Sequence, residues 1–428
     1  MRKVHLLTLG CPKNLVDSEN LLKKLEKKGL CYSSSAGDSD IILVNTCGFI
    51  EAAKRESVEE ILKVAGEKGD RGDKKLVVFG CLAKRFGKEL KEEIPEIDAL
   101  WGVADEDAIV EYCERNIQSE ETLGPAVPVR LVEGPFAYVK IAEGCNRGCT
   151  YCVIPKIRGD YRSRDPEMIL TEAESLVRSG VRELIVVAQD ITSYGRDIKA
   201  YDLSRLVTDM ASLQGDFRIR LLYLYPASIT EGLLSAMAGE EKICKYIDMP
   251  LQHSEERILK LMGRGGGSSR FGELISRIRQ RIPDVTVRTT FIVGFPGETE
   301  ADFEGMMKFV REMKFDRLGV FTYSREKGTP AYALKGQVPI KIKKERYNRI
   351  MEIQSKISLE KNLDLVGRTF RALVDEAGED VALARLCSQA PEIDGVIMIR
   401  DRDVVKGDFV QVKITQAYDY DLEGTSVR

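Results

Sequence analysis

From residue 4 to about residue 361 the chain alternates short apolar runs with longer stretches of helical periodicity, which confines most of it to parallel sheets covered by helices. The first series, Val4–Leu9, Ser18–Lys28, Ile41–Val44, Glu51–Val64 and Leu76–Phe79, predicts an open parallel α/β sheet that ends near residue 120. Gly124, Pro125 and Pro128 mark Ser119–Pro128 as a linker. A second series has a longer period, with strand candidates at Ala137–Ile141, Leu184–Ala188, Arg218–Tyr223, Tyr246–Met249, Val285–Val293 and Leu318–Phe321. Most are followed by a helical pattern, which predicts a partial or full (β/α) barrel over 131–361. After Leu363 the pattern becomes short strands between Gly and Asp turns, at Thr369–Asp375, Val381–Arg385, Gly395–Arg400 and Phe409–Thr415. These predict a small antiparallel β-barrel over 363–428. The fold class is therefore α/β in three domains, 1–120, 131–361 and 363–428, and a length of 428 residues exceeds what one core usually serves.

Ten cysteines accompany only two histidines. No stretch reaches the roughly 18 uncharged residues of a membrane span, and Met1-Arg2-Lys3 leads straight into a strand-like run without a secretory core, so a cytosolic protein is expected. In a reducing compartment such cysteines point to metal or catalysis rather than disulfides. Two histidines limit mixed zinc sites, whereas all-thiolate ligation of iron–sulfur clusters is not limited. The net charge of −3 gives no support for non-specific binding to nucleic acid.

Cys145-Asn-Arg-Gly-Cys149-Thr-Tyr-Cys152 places three thiols on one loop after the strand Ala137–Ile141, with Gly144 and Gly148 to relieve crowding of the backbone. Three thiolates on a four-iron cubane leave one iron open to a non-protein ligand. The alternatives are a zinc or structural triplet, or three unrelated thiols. Cys11, Cys47 and Cys81 are too widely spaced for a short motif, but each stands at or just beyond the end of an apolar strand. In a parallel sheet all three would lie in the crevice where open α/β sheets bind ligands, with Gly10, Gly48 and Gly80 making room. The alternative is three small buried core residues. Cys31, Cys113, Cys244 and Cys387 lack such a setting and read as ordinary thiols.

With Tyr151 immediately before its last cysteine, the triplet resembles the radical S-adenosylmethionine superfamily. The resemblance implies a [4Fe–4S] cluster on Cys145, Cys149 and Cys152, whose open iron chelates the amino and carboxylate groups of S-adenosylmethionine to release a deoxyadenosyl radical. It implies that Tyr151 lies against the adenine. Gln189 and Asp190 occupy the segment that holds the cofactor's amino group, where many relatives have Gly and Glu. Ile292 and Gly294, in Thr290–Thr299, resemble the adenine-side strand end. His253, after the strand that ends at Asp248-Met249, reads more readily as hydrogen-bonded structure than as a catalyst.

The three domains in this order resemble the methylthiotransferases over essentially the whole chain. Leu9-Gly10-Cys11-Pro12-Lys13-Asn14, Asn45-Thr46-Cys47-Gly48-Phe49-Ile50 and Ala188-Gln189-Asp190 look most like the branch acting on an aspartate of small-subunit ribosomal protein twelve. The tRNA-modifying branch usually has Gln-Met-Asn in place of Pro12-Lys13-Asn14. The resemblance implies a second [4Fe–4S] cluster on Cys11, Cys47 and Cys81, a TRAM-like terminal barrel, and methylthiolation at a β-carbon with both clusters facing one cavity. An electron donor and a sulfur source are the further partners implied. The rival readings are a tRNA adenosine methylthiotransferase and a non-catalytic iron–sulfur or zinc scaffold that binds ribosomes. From Leu363 onward thirteen Asp and Glu face eight Lys and Arg, a balance that disfavours nucleic acid as primary substrate and suits a basic protein loop, unless the acids are only a solvated face.

Overall fold

The computed structural model describes residues 3–68, 74–116, 130–132, 134–198, 201–400 and 404–427, so the linker expected at Ser119–Pro128 lies outside the described residues. The chain forms two compact units. The first is Met1–Glu133 together with Gly144–Asn146 and Cys152–Asp160; the second is Gly134–Glu143, Arg147–Tyr151 and Tyr161–Arg428. No described helix is long and apolar enough to cross a membrane.

In the first unit five parallel strands, β1 (Lys3–Thr8), β2 (Cys31–Tyr32), β3 (Ile41–Thr46), β4 (Lys75–Gly80) and β5 (Ala99–Leu100), lie in the order β2-β1-β3-β4-β5. Alternate residues face opposite sides. Val4, Leu6, Ile41, Leu43, Val77 and Phe79 pack on one face against α1 (Pro12–Lys27) and α4 (Glu106–Asn116). Ile42, Val44, Leu76 and Val78 pack on the other against α2 (Glu51–Glu67) and α3 (Cys81–Glu93). Helix α1 begins at Pro12 rather than near Ser18, because proline at the first helical position loses no hydrogen bond there. Chain order reverses between β1 and β3, and this switch point is where doubly wound sheets open a ligand crevice beyond their strand ends.

In the second unit β6 (Phe136–Lys140) is followed by a short pair, β7 (Ala142–Glu143) and β8 (Arg162–Ser163). Parallel sheets β10-β9-β6 and β11-β12-β13 are built from β9 (Glu183–Val187), β10 (Arg218–Leu221), β11 (Tyr246–Asp248), β12 (Thr286–Val293) and β13 (Arg317–Thr322). The Ile219–Ile243 bridge and the Leu224 N to Asp248 O bond (2.9 Å) join them into a six-stranded partial barrel. The same unit ends in a closed barrel, β14 (Thr369–Ala377), β15 (Ala382–Arg385), β16 (Ile397–Ile399), β17 (Phe409–Ala417) and β18 (Leu422–Val427), in the order β14-β15-β16-β18-β17. Its β16–β18 seam is parallel and the others antiparallel. The fifth strand explains this, since an odd number of strands cannot close with every neighbour antiparallel.

Candidate active site

The first unit brings Cys11, Cys47 and Cys81 together beyond the carboxyl ends of β1, β3 and β4. Asn14, in the first turn of α1 and 1% exposed, links two of them: its Oδ1 stands 4.0 Å from the Cys11 Sγ and 3.8 Å from the Cys81 Sγ. Its Nδ2 donates to the Leu9 and Thr46 carbonyls (2.8 and 3.2 Å), which ties the ends of β1 and β3 to the helix. Ser57 receives the Cys47 backbone N–H at 3.0 Å and returns a bond to the Cys47 carbonyl. Gly10 has φ +97°, and a Cβ there would fall 2.5 Å from the Cys47 Cβ, so only glycine admits the Cys47 side chain. Added side-chain carbons at Gly48 and Gly80 would likewise strike the Leu82 backbone at 2.7 Å and the Asn45 side chain at 2.4 Å.

Burial raises the Cys47 thiol and pushes Cys81 up to about 12. Thiols release their protons when they ligate, so the raised Cys47 and Cys81 would deprotonate only with a group to bind. Three thiols at the ends of three adjacent strands are a donor set of the kind an all-thiolate cluster takes. Arg158, its side chain 2% exposed, supplies positive charge beside it: Nη2 donates to Asn14 Oδ1 at 2.6 Å and to Asp17 Oδ2 at 3.0 Å.

Of the triplet, Cys145 and Cys152 belong to the first unit and Cys149 to the second. The Cys145 N–H donates to the Gly159 carbonyl at 3.1 Å, and Gly144, at φ +79°, lies so close to Asp160 that a Cβ would meet its carbonyl at 2.1 Å. Gly148 differs from the sequence expectation, since a Cβ there would meet nothing within 4 Å among the described residues. In the second unit the Arg264 Nη1 stands 3.6 Å from the Cys149 Sγ, and its Nη2 donates to the Pro250 carbonyl at 2.8 Å. The Tyr225 ring carries the Arg264 guanidinium at 4.5 Å and the Arg147 guanidinium at 3.8 Å. Two stacked cations at a thiol loop suit an anionic cluster and a carboxylate-bearing cofactor.

Family models match residues 139–310 to the radical SAM superfamily, 3–102 to the uncharacterized protein family UPF0004 and 366–427 to the TRAM domain. The ribosomal protein uS12 methylthiotransferase RimO of Thermodesulfovibrio yellowstonii is 51% identical over 428 residues, which is 100% of this chain and 100% of the relative. Its namesake from Thermoanaerobacter is 45% identical over 99% of this chain and 100% of the relative. The chain belongs to the RimO family. It is a radical S-adenosylmethionine methylthiotransferase. Among solved structures, the fold resembles the radical S-adenosylmethionine methyltransferase TsrM from Kitasatospora setae, with TM-score 0.56, 14% identity and coverage of 77% of this chain and 74% of that one. It also resembles the cobalamin-dependent radical enzyme OxsB, with TM-score 0.52, 12% identity and coverage of 83% and 56%.

Within this RimO-family chain the residues expected near the cofactor are placed as follows. Gln189 Nε2 donates to Glu143 Oε1 at 3.2 Å, and its buried Oε1 has no hydrogen-bond partner among the described residues, which leaves one acceptor unmet. Asp190 is 3% exposed and engaged, receiving bonds from Arg147 Nε (2.8 Å), Ser193 Oγ (2.8 Å), the Thr192 N–H (3.0 Å) and the Thr192 hydroxyl. Tyr151 and Ile292 are partly buried against the barrel core. The Gly294 N–H is bound by Glu298 Oε2 at 2.8 Å, and a Cβ there would strike Lys343 at 2.3 Å. His253 is fully buried: its Nδ1 accepts from the Glu255 N–H at 3.0 Å, and its Nε2 lies 3.6 Å from Glu298 without a hydrogen-bond partner among the described residues. Sequence reasoning missed Arg147, Arg158, Arg264 and Tyr225. A usable signal was present, since Arg147 lies inside the triplet and Arg158 shortly after it.

Proposed function

We propose that this chain adds a methylthio group to the β-carbon of an aspartate in ribosomal protein uS12. The convergence of Cys11, Cys47 and Cys81 at the ends of the adjacent strands β1, β3 and β4 carries the reading, because a radical enzyme that only abstracted hydrogen would need no second set of thiolates. Cys145, Cys149 and Cys152 would hold one [4Fe–4S] cluster, and Cys11, Cys47 and Cys81 another. When bound, these groups supply reductive cleavage of S-adenosylmethionine and a carrier for sulfur. The chain's own residues bind and orient. The open Gln189 Oε1 would accept from the cofactor's ammonium, while Arg147, fixed by Asp190 and Ser228, and Arg264 would face its carboxylate and the Cys149 thiolate. Tyr151 would lie against the adenine, with Ile292 and the Gly294 turn beside it. An electron donor and a sulfur source complete the reaction.

The test is mass analysis of uS12 and of tRNA after incubation with the reduced, reconstituted enzyme. Gain of the methylthio group on the uS12 aspartate is expected, and gain on a nucleoside alone would refute the substrate. Iron and sulfide content of the Cys145→Ala, Cys149→Ala, Cys152→Ala variant measures the second cluster directly. About four irons per chain are expected.

A further inference from the structure

Arg158 is a buried cation that the proposed chemistry does not use. It lies on α5 (Ile154–Arg158), in the segment Cys152–Asp160 that belongs to the first unit. Ile157 and Val153 from this segment pack directly on Cys81 and Val103, so the segment is seated against the three-cysteine site by apolar contact as well as by charge. A guanidinium with 2% of its side chain exposed is costly to bury without partners. Arg158 has them in a defined order. Asp17 accepts from it at 3.0 Å, Asn14 accepts from it at 2.6 Å, and its positive charge reaches the Cys81 sulfur within hydrogen-bonding range and Cys47 through space. The Nη2 that Asp17 holds also reaches Asn14, so the ion pair keeps the cation beside the thiols. Glu56 acts on Cys47 in the opposite sense.

We propose that Arg158 is a positioning and charge-compensating residue for the group held by Cys11, Cys47 and Cys81, fixing the Asn14 side chain and stabilising the more negative redox state. The inference rests on those three cysteines holding a cluster. One short piece of chain then carries both the last thiol of the radical triplet, Cys152, and the cation of the other set. A single nitrogen, Nη2, makes both of the bonds to Asn14 and Asp17, so a lysine ammonium can keep the charge and these two contacts.

The test uses the full chain with Cys145, Cys149 and Cys152 replaced by alanine, reconstituted with ferrous iron and sulfide, and compares Arg158 with R158K and R158Q. Iron content and the midpoint potential, followed by electron paramagnetic resonance, are read for each. R158K should load iron and titrate like its parent. R158Q should either titrate lower, with the reduction equilibrium shifted at least tenfold, about 59 mV for one electron, or fail to hold iron that R158K holds. The inference is overturned if R158Q loads fully at the parent potential, or if R158K and R158Q are impaired alike. Should the parent with Arg158 intact hold no iron, the three-cysteine cluster itself is refuted and the inference falls with it.

Discussion

Glu183→Gln should destabilise the second unit severely while leaving the cysteine sites loaded. Glu183 opens β9 and is fully buried among three guanidiniums: Arg218 Nη2 at 2.9 Å, Arg220 Nε at 2.6 Å and Arg385 Nη1 at 2.8 Å. Arg218 and Arg220 also donate to the Arg385 and Cys387 carbonyls, so this cluster fastens the terminal barrel to the radical barrel. Glutamine keeps the shape and removes the charge, which leaves three buried cations with Asp375 and the Cys387 sulfur as the remaining named anionic partners. Removing one partner from a buried ionic network costs about 3–5 kcal/mol. At about 2–4 °C per kcal/mol for a unit of this size, the melting transition should fall by about 6–20 °C.

The site should survive, because β9, at about 3.3 Å per residue, carries the chain about 13 Å from Glu183 to Val187 and Gln189 lies beyond its end. Calorimetry of the full chain, with iron content as the control, is the assay; a fall below about 2 °C would refute the argument. The pH dependence gives a second reading of the same cluster. Burial alone would raise the Glu183 carboxyl, but Arg218, Arg220 and Arg385 outweigh it and hold it well below the usual carboxylate range. A depressed carboxylate stabilises fully above its unfolded pKa of about 4.3 and loses that contribution as pH falls toward the folded value. Wild-type protein should therefore lose stability below about pH 4 more steeply than the Glu183→Gln variant.

Gly10→Ala, which drives a Cβ to 2.5 Å from the Cys47 Cβ at a φ of +97°, should halve the iron content from about eight to about four per chain while reductive cleavage of S-adenosylmethionine continues. Gln189→Ala removes the open acceptor, and at about 1.5–3 kcal/mol for a hydrogen bond to a charged group, S-adenosylmethionine affinity should fall about ten- to hundredfold; an unchanged Kd by titration calorimetry contradicts the assignment. The Cys244 thiol donating to it, with Arg218 and Arg220 nearby, lowers the exposed Cys387 to about 5. Its alkylation by iodoacetamide, followed by peptide mass spectrometry, should be nearly flat between about pH 6 and 8, and a tenfold rise per pH unit rules this out.

The strand framework was legible because its signal is local. Apolar runs such as Ile41–Val44 and Leu184–Val187 are too short and too β-branched for anything but buried strands, and they recur as β3 and β9. The two-residue strands at Cys31–Tyr32 and Ala99–Leu100 were not legible, because pairing with a longer neighbour rather than local preference holds them in place. The three-cysteine site was half legible. Strand ends located the thiols, but only the folded sheet reveals that Asn14 joins two of them and that an arginine more than a hundred residues later in the chain reaches the same point. Arg264 was hidden for the same reason, since nothing in Met-Gly-Arg-Gly announces a partner at Cys149.

Charge shows most clearly how a count can differ from a surface. Thirteen acids against eight bases after Leu363 suggest a strongly negative face. Several of those acids are fastened into the fold. Asp375 pairs with the buried Arg385; Asp394 takes the Tyr246 hydroxyl at 2.7 Å and the Ala390 N–H at 2.9 Å; Asp421 takes the Val396 N–H at 2.9 Å; Glu423 pairs with Arg400. Each of these shapes a turn or docks the small barrel, and none is at liberty to steer a partner. The exposed acids include Glu376, Glu379 and Asp380 at the β14–β15 turn, with Asp364 and Asp408 elsewhere. Solvent screens isolated charges beyond about 8–10 Å, so attraction of a basic loop would depend on how closely such acids cluster rather than on the total of thirteen.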